Sequence, residues 1–236
     1  EIYYQLEWAI RGISKACKVL GVPVVGGNVS LYNESRGNPI DPTPVIGVLG
    51  VLEELTRATD LAFKDTGDLV VMLGDSGING RVRDLAGSEY IKLFYGLVAG
   101  RPEIDLKMEA KVQLLCRRAI EQGLIQSAHD CSEGGLAVTI AESSIASGLG
   151  FISSIDMSGR SDAALFGEAQ SRIVVSVKPQ NFEAIRNMAN DIEVPIVELG
   201  RVHGSVFRLL DIDLPVTCLE EAWEQGIDWP GIVGQV

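Results

Sequence analysis

The chain has 236 residues, 46% of them hydrophobic and 22% charged, and 20 Lys and Arg against 32 Asp and Glu leave a net charge of −12. A field of that sign repels phosphate backbones and anionic bilayers, which argues against nucleic acid or a membrane surface as the partner. A small anionic ligand would have to be held by backbone N–H groups, a metal ion or a few placed cations. The length suits one large domain or two small ones, and with no signal peptide and no long apolar run the chain reads as cytoplasmic.

Ile2, Leu6, Ile10, Ile13 and Cys17 recur at three- and four-residue spacing, which predicts a helix to about Leu20, capped by Gly21 and stopped at Pro23. That spacing starts at once after Glu1 with no initiator Met, as expected of a boundary inside a longer protein. Residues 22–25 predict a short strand into Gly26 and Gly27, and alternation continues through Val29, Leu31 and Asn33. Residues 38–44 hold three prolines and predict a loop, whereas residues 45–52 form a β-rich run. The pattern changes over residues 56–67, so the chain is read as two units, 1–60 and 61–236.

In the second unit, strands are predicted over residues 68–73, 125–128, 173–177, 196–199 and 206–209. Helices are predicted over residues 88–95, 106–122, 136–147, 182–190 and 219–225. Alternating helices and strands define an α/β or α+β architecture. Beyond Arg208 there is no Lys or Arg, while Asp211, Asp213, Glu220, Glu221, Glu224 and Asp228 read as a solvated acidic face. Cys17, Cys116, Cys131 and Cys218 form no C-x-x-C pair, so nothing supports a zinc site, and Cys17 and Cys116 read as apolar fillers of helices.

Three segments carry polar groups suited to chemistry. In the first, residues 24–33, paired glycines let a ligand approach the backbone, Asn28 offers a hard oxygen suited to magnesium, and Ser30 falls on the same face if the stretch is extended. A tight hairpin turn explains the same residues. In the second, residues 127–136, a strand end meets Asp130, Gly134 and Gly135 before a helix start, where unpaired N–H groups make an anion site. Helix capping by Asp130, Ser132 and Glu133 explains that pattern equally well. His129 reads as a packed, hydrogen-bonded residue. In the third, residues 165–172, Glu168, Gln170 and Arg172 either bind polar ligand groups or simply start a strand. No nucleophile elbow, Walker A loop or dinucleotide fingerprint is present, and His203 receives no role.

Taken in order, these segments resemble phosphoribosylformylglycinamidine synthase of the short bacterial type. The likeness rests on PVVGGNVSLYNE at residues 23–34, PTPVIGVLGVLE at 42–53 and SAHDCSEGGLAVTIAES at 127–143, with weaker support from AGSEY at 86–90 and GEAQSR at 167–172. The resemblance covers essentially the whole chain. It implies an aminoimidazole-ribonucleotide-synthetase-like fold, with the end of a barrel-forming domain followed by a C-terminal α/β domain. It also implies part of a duplicated, ATP- and Mg2+-dependent ligase. That enzyme converts formylglycinamide ribonucleotide and glutamine-derived ammonia to the amidine in purine biosynthesis, together with a glutaminase and a small accessory subunit.

Carried over by residue, the resemblance makes Gly27 an ATP contact, Asn28 a magnesium ligand and Ser30 a substrate contact. Asp130, Gly134 and Gly135 become the phosphate-facing turn of a second, pseudo-symmetric site. The family's catalytic histidines belong to its N-terminal part, so no catalytic residue is expected here. Ala86 replaces a usual glycine and Ala169 a usual serine, which weakens the second site. A chain holding half of a barrel would expose apolar strand edges and dimerise. The alternatives are a complete small synthetase or kinase of the superfamily, or a stand-alone nucleotide-binding or scaffold module.

Overall fold

The computed structural model describes residues 2–30, 32–40, 42–156 and 158–226. Compactness divides the chain into Glu1–Glu53 and Glu54–Val236. Residues 54–60, read from sequence as part of the first unit, are bonded into the second. The Arg57 guanidinium donates to the Glu121 carbonyl, and the Ala128 N–H donates to the Asp60 carbonyl at 2.9 Å.

The first unit opens with helix α1 (Ile2–Leu20), ended by Gly21 in the left-handed region at φ +69°. The only ladder described in this unit is a two-residue hairpin, β1 (Glu34–Ser35) with β2 (Asn38–Pro39), closed by Arg36 and Gly37 at positive φ. This corrects the expected loop at 38–44 in its first two residues only; residues 40 and 42–44 carry no regular structure, and Asp41 lies outside the described residues, as does Leu31 of the alternating run. The strands expected at 22–25 and 45–52 carry no regular secondary structure and pair with no strand among the described residues. A strand is a set of interchain hydrogen bonds, not a backbone angle, and within the described part of this unit these segments meet no ladder partner. Val25, Val45, Leu49 and Val51 are accordingly more than 90% exposed.

The second unit is built on a seven-stranded sheet with order β4-β6-β3-β7-β5-β8-β9. The strands are β3 (Leu69–Gly74), β4 (Ile125–Asp130), β5 (Phe151–Ser153), β6 (Arg172–Val177), β7 (Ile196–Val202), β8 (Val206–Leu209) and β9 (Ile212–Pro215). Neighbours are antiparallel except β5 and β8, which run parallel. The helices are α2 (Glu89–Tyr95), α3 (Leu106–Glu121), α4 (Gly135–Ser147), α5 (Ser161–Phe166), α6 (Phe182–Asp191) and α7 (Val216–Gln225).

All six residues of β3 are buried, and they alternate between two cores. Leu69, Val71 and Leu73 pack with Val112, Leu115 and Ala119 of α3 and with Ile185 of α6. Val70 and Met72 pack with Leu136 and Ile140 of α4 and with Phe151 and Phe207. Side chains alternate across a strand, so a strand covered on both faces must be apolar at every position. Each such buried side chain contributes roughly 1.5–3 kcal/mol.

Candidate functional site

In the first unit, residues 22–30 carry no regular secondary structure and are exposed among the described residues, Gly27, Asn28 and Ser30 included. The Ser30 hydroxyl donates to the Tyr32 carbonyl at 3.0 Å, a local turn contact that leaves its lone pairs available. Neither Gly26 nor Gly27 has positive φ, and a methyl group built on either would meet no protein atom within 4 Å. Neither backbone strain nor packing within the described residues therefore demands glycine here.

The second segment is the reverse case. Gly134 and Gly135 stand at φ +79° and +65°, conformations that disfavour side chains. A methyl group on Gly134 would meet Val138 at 2.4 Å, and one on Gly135 would meet the Gly167 carbonyl at 2.5 Å. Internal packing alone accounts for both glycines. The caps offered by Asp130, Ser132 and Glu133 are not made: the N-cap of α4 is Gly134, which has no side chain to accept from the helix N–H groups. Asp130 instead accepts from the Ser132 hydroxyl, which holds its carboxyl below the usual range, and its Oδ1 lies 3.6 Å from His129 Nδ1. His129 Nε2 lies 2.7 Å from Glu142 Oε2, a structural tie of the kind expected for this histidine.

The third segment supplies the group that sequence reasoning left unconnected. Glu168 Oε1 accepts from the Gly134 N–H at 2.9 Å and from the Glu89 N–H at 2.9 Å. Its own N–H donates to the Asp84 carbonyl at 2.8 Å. Arg172, only 3% exposed, donates to the carbonyls of Gly167 and Ala169 and so fixes the loop that presents Glu168. The Ser88 hydroxyl accepts from the Ile91 N–H at 3.4 Å, so the start of α2 is satisfied by Ser88 and Glu168 together. The sequence signal was the acid at 168, three residues before the positive-φ Ser171 and four before the cation; its two partners lie 34 and 79 residues away.

Among the described residues no group of three or more His, Cys, Asp or Glu is placed to hold a metal, and no helix is long and apolar enough to cross a membrane.

Residues 65–209 match the model of the AIR synthase related protein, C-terminal domain, and residues 2–52 match the corresponding N-terminal domain. The chain belongs to the AIR synthase related family. It is 42% identical over 236 residues to the phosphoribosylformylglycinamidine synthase subunit PurL of Caldanaerobacter subterraneus, covering 97% of this chain and 31% of that protein. It is 43% identical over 233 residues to the PurL subunit of Thermomicrobium roseum, covering 96% and 31%. The chain thus spans about a third of the length of the curated relatives it matches. The fold matches PurL of Thermotoga maritima complexed with FGAR, at a TM-score of 0.58 and 20% identity, over 70% of this chain and 30% of that one.

Proposed function

We propose that this chain forms part of an ATP-dependent phosphoribosylformylglycinamidine synthase, contributing to the conversion of formylglycinamide ribonucleotide and ammonia to the amidine. The observation that carries this reading is 42% identity across 97% of the chain to a PurL subunit. In this reading residues 1–60 end a barrel-forming domain and residues 61–236 form the C-terminal α/β domain. The protein works in the cytoplasm with the rest of the synthase, a glutaminase and a small accessory subunit.

Gly27, Asn28 and Ser30 are the residues we assign to ligand. Gly27 gives ATP access to the backbone, and its surroundings support this, since among the described residues no atom within 4 Å requires a glycine there. Asn28 places one hard oxygen, which suits Mg2+, an ion that usually takes one or two protein groups and completes its shell with waters and phosphates. When bound, the ion neutralises the transferring phosphates. Ser30 contacts substrate through its free lone pairs. The chain's own part in turnover is to position these groups, and we assign it no catalytic residue.

Calorimetric titration with ATP, with and without magnesium, tests the assignment. Magnesium-dependent binding that disappears in Asn28→Ala supports it. Binding that survives unchanged in both Gly27→Val and Asn28→Ala removes the assignment.

A further inference from the structure

We infer that Glu168 is a resident anion: its carboxylate occupies the place that the Gly134–Gly135 turn would offer to a phosphate, so this turn is closed to nucleotide in the native chain. The inference concerns the second unit alone and stands or falls independently of the Gly27–Ser30 assignment.

Three observations converge. First, a single oxygen, Glu168 Oε1, accepts both the Gly134 N–H at the start of α4 and the Glu89 N–H at the start of α2. Unpaired N–H groups at a helix start are what such turns use to hold an anion, and here the donors converge on a side chain. Second, the space beside Gly135 is filled by backbone: a methyl group there would meet the Gly167 carbonyl at 2.5 Å, Phe166 at 2.9 Å and the Leu165 carbonyl at 3.0 Å. The glycine serves the close approach of the 165–167 segment, and that segment leads directly into Glu168. Third, the segment is held rigidly. The buried Arg172 guanidinium ties down Gly167 and Ala169, the Glu168 N–H is bonded to Asp84, and Phe166 stacks on Tyr90 of α2 at 5.3 Å and 10°. On this inference the turn at Asp130, Gly134 and Gly135 faces Glu168 where a phosphate-facing turn was expected. The geometry is that of an anion site, and its anion is covalently part of the chain.

The experiment follows the Gly134 and Glu89 amide resonances of the full 236-residue chain during titration with sodium pyrophosphate, with sodium chloride at matched ionic strength as control. In the native protein both amides stay still. In Glu168→Ala, which frees both N–H groups, both amides move together and saturably, and the unfolding temperature rises with pyrophosphate. In Glu168→Gln, whose amide oxygen can accept the same two bonds, the native behaviour returns. A saturable shift of Gly134 in the native protein overturns the inference, because the turn is then already open. Amides that remain silent in both the native protein and Glu168→Ala overturn it too, because the two donors then form no anion-accepting pair. Should Glu168→Ala fail to fold, Glu168→Ser, whose short side chain cannot reach both N–H groups, is read against the same two outcomes.

Discussion

His129 Nε2 lies 2.7 Å from Glu142 Oε2, joining the end of β4 to the middle of α4 across 13 residues of sequence. Both side chains are largely buried, at 18% and 26% exposure, so the bond is shielded from competing water. A hydrogen bond to a charged group contributes roughly 1.5–3 kcal/mol. His129→Ala and Glu142→Ala should each lower stability by about 1–2 kcal/mol, and the double variant by less than the sum. Denaturant unfolding of the four proteins measures this, and strict additivity would show that the pair is not coupled.

Three glycine-to-alanine changes should separate by surroundings. Gly135→Ala adds a methyl group 2.5 Å from a backbone carbonyl at φ +65° and should cost well over 2 kcal/mol, on the order of a strained residue plus overpacking. Gly148→Ala, at φ +69° with open space, carries the backbone strain alone, about 1–2 kcal/mol. Gly27→Ala has neither problem and should fall within about 0.5 kcal/mol of the native protein. Chemical unfolding ranks them.

Asp68 is 3% exposed, and its Oδ2 finds no hydrogen-bond partner among the described residues. Burial first, and the nearby Asp65 charge second, push its carboxyl above the usual value of 3.8. The folded state therefore keeps this proton to higher pH than the unfolded state does. Its contribution to stability falls as pH rises from 3.8 through the raised value, and the penalty is complete at neutrality. Asp68→Asn should raise the unfolding temperature at neutral pH and bring no gain below 3.8. A neutral-pH loss would refute the sign.

All four cysteines are free. Burial pushes the Cys116 thiol up to about 11 and raises that of Cys131, whereas Cys218 is exposed and Cys17 half-buried. The thiolate is the reactive form. A thiol reagent near pH 8 should modify Cys218 fast and Cys17 more slowly, leaving Cys116 and Cys131 until the protein unfolds. Peptide mapping of the labelled chain reads this directly.

The first unit leaves Val25 at 96%, Val45 at 93% and Leu49 at 97% exposure on backbone that joins no ladder among the described residues. Apolar surface joined to unsatisfied ladder groups favours self-association. Light scattering at tens of micromolar should report a dimer or larger species, and a monodisperse monomer would count against it.

Much of the second unit is legible in the amino acids. Helices α3, α4 and α6 follow from apolar spacing and their punctuating glycines or acids, and β3 from a run apolar at every position. Ser88 was legible as a cap because capping is local. By contrast, β5 is three residues long and pairs in parallel with β8, more than 50 positions away, so no local period marks it. The runs at 22–25 and 45–52 carry β-forming residues, but a ladder needs a second backbone that local sequence does not specify.

The same division holds at the two candidate sites. Sequence alone determined that glycine pairs stand beside Asn28 and beside Asp130, and that both are chemically able to face an anion. Only the tertiary structure decided that, among the described residues, the glycines beside Asn28 are free of internal demands while Gly135 is packed against the 165–167 backbone and Gly134 is bonded to Glu168. The reason is physical: a glycine's permissiveness is written in one residue, but what approaches this pair comes from chain 30 to 34 residues away, and only folding brings that chain within reach.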